Sequence, residues 1–358
     1  MKRFLEMIFA AVLTTQAASA QSVSSGQERL DSIIVTNSYA PRKYTYSYKD
    51  GRLASETCYE KAASEWSLLY KYVFDFNEDG HHIGCIDSVM RRGVWQQEYA
   101  FRNTFNADGE LQQSVYHYPV KEGKQGKSVA CYLYDRKKLA KIVEFDENEA
   151  ELDTFQIRTF HYDKGKRKIS VWSKLIKDKP ESYRYEDTYD SNGNLVEQIT
   201  YDLKGTDGRE LSPHFKTAYK HDAAGRLVET VCWDLFKGIQ KEREKAEYEY
   251  DVHGNLVQKK HFIRKGEVWD HTSTDIYIYD MNVGSEQVAG LQNQEFVCMN
   301  EPFIKSAFKN DSGVSPNKIL KKVTFDSSGK EDGCITFYYS PADKESFTRN
   351  EKDLLKQR

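Results

Sequence analysis

Proline is scarce, with 7 residues in a chain of 358. Beyond the N-terminus no apolar run approaches the roughly 20 residues that a membrane-spanning helix takes, so no membrane span is expected. Neither sign of charge dominates: 52 Lys and Arg stand against 55 Asp and Glu, for a formal net charge of −3. A chain so balanced, with acids and bases interspersed, has no electrostatic grip on nucleic acid or anionic lipid. Catalytic signatures are missing too. There is no HExxH, no GxSxG and no phosphate-cradling glycine loop, and Ser315-Pro316-Asn317-Lys318 has SxxK spacing but a proline where a helix would have to align Lys with Ser. The chain is expected to be no enzyme and to use no cofactor.

The N-terminus is a leader. Lys2 and Arg3 precede an apolar run from Phe4 to Leu13, interrupted by Glu6, and a small-residue site, Ala18-Ser19-Ala20, precedes Gln21. Cleavage after Ala20 would release a secreted or periplasmic protein. The first cysteine is Cys58, so no residue at the cleavage site could accept a lipoprotein anchor. Six cysteines in an exported chain invite disulfides. Cys58 and Cys85, however, fall on strands separated by a whole strand, about 9.6 Å, beyond disulfide reach. Cys298 with Cys334 is the one pair to consider.

What is abundant is aromatic: 13% of residues, with 24 Tyr. They recur in a phrase, as in YEYDVHGNLV, TYDSNGNLV and KHDAAGRLV. Aligned on the aromatic residue before the turn, the phrase marks Tyr48, Phe76, Phe105, Tyr134, Tyr162, Tyr189, His221, Tyr250 and Tyr279, with an echo at Phe325. Successive gaps from Tyr48 to Tyr279 lie between 27 and 32 residues. A fixed period near 29 is a repeat architecture.

Each copy specifies a hairpin. Asp190-Ser191-Asn192-Gly193 puts Asp first and Gly fourth in a type I turn, where the carboxylate can accept backbone N–H groups and Gly can take positive φ. Asp222 to Gly225, Asp251 to Gly254 and Asp326 to Gly329 repeat it, Asn77 to Gly80 and Asn106 to Gly109 begin with Asn, and Lys49-Asp50-Gly51 suits a tighter turn. Incoming strands alternate, with Tyr44, Tyr46 and Tyr48, or Tyr72, Phe74 and Phe76, on one parity. The expected fold is all-β: tandem β-hairpin repeats with a period of about 29 residues, forming one large coiled antiparallel sheet with its aromatic side inward. A β-propeller is the alternative. Expected boundaries are a signal peptide at 1–20, an N-terminal lead-in at 21–41 and hairpin repeats at 42–280. A C-terminal cap at 281–358 carries one further hairpin, 318–340, and a charged tail that is either a helix or loose.

YEYDVHGNLV, YDSNGNLVEQIT, KHDAAGRLVETV and YTYSYKDGRL resemble the YD repeats of the RHS family: aromatic-x-Tyr-Asp, two free residues, Gly, Arg or Asn, then Leu. The resemblance runs from about Tyr44 to Asp280. It implies a coiled β-sheet, export, and a role in surface interaction, sugar binding or toxin packaging. Tyr134-Asp135-Arg136-Lys137-Lys138 and Phe145-Asp146-Glu147 depart from it in lacking Gly. The many repeats and the core protease of toxin-enclosing shells are not found, so the chain is more similar to short secreted bacterial YD-repeat proteins.

Asp75-Phe76-Asn77-Glu78-Asp79-Gly80 fits the first half of a calcium loop, but Ile86 stands where the bidentate acid belongs, and the segment reads as a hairpin turn. His81, His82 and Cys85 read as residues beside that turn, the histidines on the surface, and not as metal ligands. The tyrosine stripe reads first as a structural ladder. Trp66, Trp95, Trp172, Trp233 and Trp269 are the better ligand candidates, several lying toward what are expected to be longer loops between units. The expected activity is binding of a glycan or a cell-surface protein. The alternatives are a structural envelope component or a polysaccharide-acting hydrolase, which would need two carboxylates about 5–9.5 Å apart across a groove.

Overall fold

The structure is a computed structural model. It describes residues 28–37, 40–120, 125–148, 151–163, 166–176, 179–204, 210–236, 238–289, 309–310 and 313–341, without the side chains of 37, 146–156, 163–183, 202–211, 236, 309–310 and 313–314. The leader, Cys298 and the charged tail lie outside these residues.

The strands follow one another as a meander. The first six are β1 Glu28–Asn37, β2 Arg42–Lys49, β3 Arg52–Ala62, β4 Glu65–Phe76, β5 His82–Arg91 and β6 Val94–Phe105. Then come β7 Leu111–Pro119, β8 Gln125–Asp135, β9 Lys138–Asn148, β10 Glu151–Asp163, β11 Lys166–Ile176 and β12 Lys179–Tyr189. The repeats continue through β13 Leu195–Lys204, β14 Glu210–His221, β15 Leu227–Phe236, β16 Ile239–Tyr250, β17 Leu256–Lys265 and β18 Val268–Gly284. Short strands β19 Val288–Ala289, β20 Lys309–Asn310 and β21 Gly313–Val314 precede a last hairpin, β22 Asn317–Asp326 and β23 Glu331–Pro341. Twenty-one strands belong to one sheet, and β20 and β21 pair separately. A propeller would divide these strands among separate blades, so the fold is the all-β repeat sheet.

The turn phrase does what its residues imply, and the structure explains the residue after the glycine. Asp222 Oδ1 accepts the N–H groups of Ala224 and Arg226, both at 2.9 Å, while Oδ2 takes the Arg226 guanidinium at 2.7 Å. Asn194 and Asn255 place a side-chain amide on the second oxygen of Asp190 and Asp251 at 2.9 Å. Arg or Asn is therefore the donor that completes the carboxylate. Where Asn106 replaces Asp, donor and acceptor exchange: its amide gives a hydrogen bond to Glu110 at 2.9 Å. Gly193 and Gly254 sit at φ +90°, and the register slips by one residue at the turn aromatic, between Thr188 and Tyr189 for example, as a glycine bulge requires. In the copy without glycine, Arg136 and Lys137 take φ of 49° and 64° in a two-residue turn. Phe145-Asp146-Glu147 is strand interior, not a turn.

A second bulge recurs seven residues before the turn aromatic. The register skips Leu69, Phe155, His214 and Arg243. Each skip turns the preceding residues to the other face, so Trp66 leaves the face of Tyr70 and Tyr72 and pairs with Lys61. Pro213 lies beside one such skip, a place where a strand tolerates the missing N–H. Several connections expected to be longer loops are two-residue turns: β3 ends at Ala62 and β4 begins at Glu65, β5 ends at Arg91 and β6 begins at Val94, whereas five residues join β7 to β8 and β13 to β14. Strands of 10 to 12 residues on either side consume the period.

Turn tyrosines tie hairpin to hairpin. The Tyr134, Tyr162 and Tyr279 hydroxyls donate to the carbonyls of Leu111, Leu139 and Leu256, at 3.0, 2.7 and 2.9 Å, each 23 residues back. Tyr48 reaches Leu30 at 2.8 Å, and Tyr339 bonds the Ile319 carbonyl.

The chain forms two compact units, residues 1–100 with 250–258 and 275–358, and residues 101–249 with 259–274. In the first, β1 is hydrogen-bonded on both sides, to β2 and to β23, and β22 pairs with β18 as well as β23. The stretch read as a lead-in thus contributes a central strand whose N–H and C=O groups are not left as an edge. Phe337, Ile33, Tyr44, Cys58 and Tyr70 are successive cross-strand partners over β23, β1, β2, β3 and β4, the first four buried. Beside that row Lys322 and Asp275 form a buried ion pair at 3.0 Å. In the second unit Tyr116, Tyr132, Ile142, Phe160, Leu227 and Tyr248 are buried, and Arg158 pairs with Glu144 at 3.0 Å.

Gly193→Val and Gly254→Val should each cost about 1–3 kcal/mol, because a β-branched residue is forced to positive φ. A Cβ at Gly193 meets nothing within 4 Å, so that cost is conformational and Gly193→Asn should be much milder. Denaturant titration checks both; equal losses for Val and Asn would contradict a backbone origin.

Candidate functional site

The five tryptophans separate by environment. Trp66 and Trp95 are 37% and 38% exposed and lie in the first unit. Each stands ten residues before its turn aromatic, Phe76 or Phe105, just after a two-residue turn. Only β5 separates β4 from β6 in the sheet order, so the two positions are about 10 Å apart across the strands. Lys61 flanks Trp66, with Nζ 5.9 Å from its ring centroid. Trp269 has the same repeat position but carries cations, Lys245 at 5.4 Å and Arg264 at 5.2 Å. Trp233 lies under Lys216 at 5.4 Å. Trp172 stands on β11, outside the residues whose side chains are described. The candidates are therefore not one cluster.

The tyrosine face is filled where the ladder crosses the first unit, and Tyr248 is buried in the second. Sequence reasoning did not anticipate the charges on that face. Tyr46, Glu56, Tyr72 and Asp87 form a cross-strand row over β2 to β5. Glu56 is 0% and Asp87 8% exposed, and Asp87 Oδ1 has no hydrogen-bond partner. Burial, with the Glu98 carboxylate nearby, pushes Asp87 up to about 7. The two carboxylates stand about 10 Å apart across Tyr72, a separation near the upper bound for inverting glycoside hydrolysis. Both lie too deep for a sugar to reach between them. Alternation marks the inner parity of β3 and β5, and that parity is the signal that could have found these acids.

Asn77 to Gly80 is a hairpin turn: the Gly80 N–H donates to the Asn77 carbonyl at 3.0 Å, and Asn77 Oδ1 accepts the His81 N–H at 2.8 Å. His82 is not a surface histidine. Its ring packs against Phe74 and Phe76, with centroids 5.8 and 5.2 Å away, and burial lowers its pKa to about 4. The register slip between Asp75 and Phe76 brings it there. Among the described residues no group of three His, Cys, Asp or Glu could hold a metal ion. Cys58, Cys85, Cys131, Cys232 and Cys334 are free thiols, and burial pushes Cys58 up to about 12. No helix among the described residues is long and apolar enough to cross a membrane.

No family model matches the chain, and no curated protein matches it. Among solved structures, the TcdB2-TccC3 complex is similar over 81% of this chain at 10% identity and a TM-score of 0.35. The chain spans 14% of that one. A porin-like protein from Bacteroides uniformis is similar over 60% of this chain and 95% of its own, at 12% identity and a TM-score of 0.33. At such scores neither likeness bears on function.

Asp87 gives a pH prediction. Its folded pKa lies above the ordinary value near 3.9, so its contribution is fully present below about pH 4 and is lost as pH rises through about 7. Asp87→Asn should flatten stability between those limits and melt above the parent protein at pH 8. Parallel melting curves at every pH would contradict a buried, protonated Asp87.

Proposed function

We propose that the protein is an exported, non-catalytic repeat module that binds glycan through Trp66 and Trp95. The observation that carries this reading is the pair of exposed indole rings at one repeat position on β4 and β6, with only β5 between them. A sugar ring presents an apolar face of C–H groups to an aromatic plane and hydroxyls to its surroundings. Two rings on strands about 10 Å apart across the sheet can engage sugars of one chain, and Lys61 beside Trp66 offers hydrogen bonds to hydroxyls. Tight turns hold both rings on rigid strands, so little ordering entropy opposes binding. The leader supports export, and the RHS-like phrase supports a surface role. A hydrolase would need its carboxylates within reach of substrate, and Glu56 and Asp87 are not.

The full chain, expressed in a bacterial host and recovered from outside the cytoplasm, should begin at Gln21 and bind glycans on an array. Trp66→Ala and Trp95→Ala should each weaken the strongest signal about tenfold or more, the loss expected when a central aromatic contact of about 2 kcal/mol is removed, with the melting temperature nearly unchanged. Recovery of material starting at Met1 would overturn export. Unchanged binding in both variants would overturn the site.

A further inference from the structure

The second unit holds a cavity of about 460 Å³, in the range that ligand sites occupy, between β15, β16, β17 and β18. Tyr248 is in its lining and is itself buried; Thr230, Glu244, Lys245, Lys259, His261, Thr272 and Ser273 are the other polar side chains there. The charges there do not cancel. Glu244 is already engaged, with Arg243 at 3.0 Å, and Lys245 with Glu247 at 2.7 Å. Lys259 places its Nζ 5.1 Å from the centre of the Tyr248 ring and makes no ion pair among the described residues. An ammonium fixed on an aromatic ring inside a cavity, and paired with no carboxylate among the described residues, is set to receive one from a ligand.

We propose that this cavity binds an acidic sugar, with Lys259 receiving its carboxylate. The size argues against a small anion, which would leave most of the space to water. The lining argues for hydroxyls. The Thr272 hydroxyl donates to the His261 carbonyl at 3.0 Å, so its lone pairs remain free to accept from a ligand. Thr230 and Ser273 supply further hydroxyls. A hexuronic acid residue, carrying one carboxylate and a ring of hydroxyls, matches that set. The proposal rests on the glycan reading for its class of ligand and uses none of the Trp66 and Trp95 surface.

Titration calorimetry of the full chain with a galacturonic acid disaccharide, and with its neutral galactose counterpart, tests it. The acidic sugar should bind, the neutral one at least tenfold more weakly, and rising salt should weaken the former. Lys259→Met, which keeps the aliphatic stem, should cost about tenfold or more, as losing a charged hydrogen bond does, and Lys259→Arg should restore most of it. Lys260→Ala is the control, since Lys260 pairs with Glu249 at 3.1 Å and is absent from the lining. Trp66→Ala/Trp95→Ala should bind the acidic sugar unchanged, which separates failure of this site from failure of the other. Equal binding of acidic and neutral sugars, no binding of either, or equal losses in Lys259→Met and Lys260→Ala would overturn the proposal.

Discussion

A carbonyl at the end of an inter-strand ladder needs a donor, and in three repeats one tyrosine hydroxyl supplies it. Where an outgoing strand begins, the carbonyl of its leucine lies at the end of the inter-strand ladder. Tyr134, Tyr162 and Tyr279 each supply the donor from the next repeat, while Tyr48 and Tyr339 donate to strand carbonyls of Leu30 on β1 and Ile319 on β22. The reach does not depend on glycine: Tyr134 precedes the glycine-free turn at Arg136 and Lys137, and Tyr162 pairs with Arg167 without a register slip, yet both hydroxyls make the bond. Turn and hydroxyl act together, and the ladder of Ile33, Tyr44 and Cys58 packs inside the frame that they maintain.

The parts of this design that depend on residue type are legible in the sequence. Asp, Gly and the Arg or Asn after it each have a local reason to stand where they do, so the turns can be read from single copies and the period from their recurrence. The bulge seven residues before the aromatic is different. Leu69, Phe155, His214 and Arg243 share no chemistry, because a residue left unpaired between two strands is chosen by the backbone around it. That hidden slip decides which face Trp66 occupies, so parity counted along the sequence assigns it to the wrong side. The two-residue connections were hidden for a related reason, since strand length past the last alternating aromatic leaves no mark. The pairing of β1 with β23 joins residues some 300 apart, and nothing local in either strand announces it.

Charge on the inner face adds a second layer. Lys322 with Asp275 and Arg158 with Glu144 are buried as pairs, and such pairs contribute little net stability while making loss of one partner expensive. They fix which strands may be neighbours in a sheet whose hairpins otherwise resemble one another. Lys259 differs from these lysines and arginines in pairing with no carboxylate among the described residues, and it lies in a cavity. These two buried pairs are matched within the scaffold, whereas Lys259 is left for a ligand.

The most direct test of the account is the stability of Tyr134→Phe and Tyr279→Phe, with Tyr338→Phe as the control, because Tyr338 lies on β23 and is 46% exposed. Removing only a hydroxyl leaves the ring in place and the Leu111 or Leu256 carbonyl without its donor. Equilibrium denaturation should show a loss of about 1–3 kcal/mol for each of the first two and almost none for the control. If all three variants unfold at the same denaturant concentration as the parent, the tyrosine hydroxyls do not hold the repeats together.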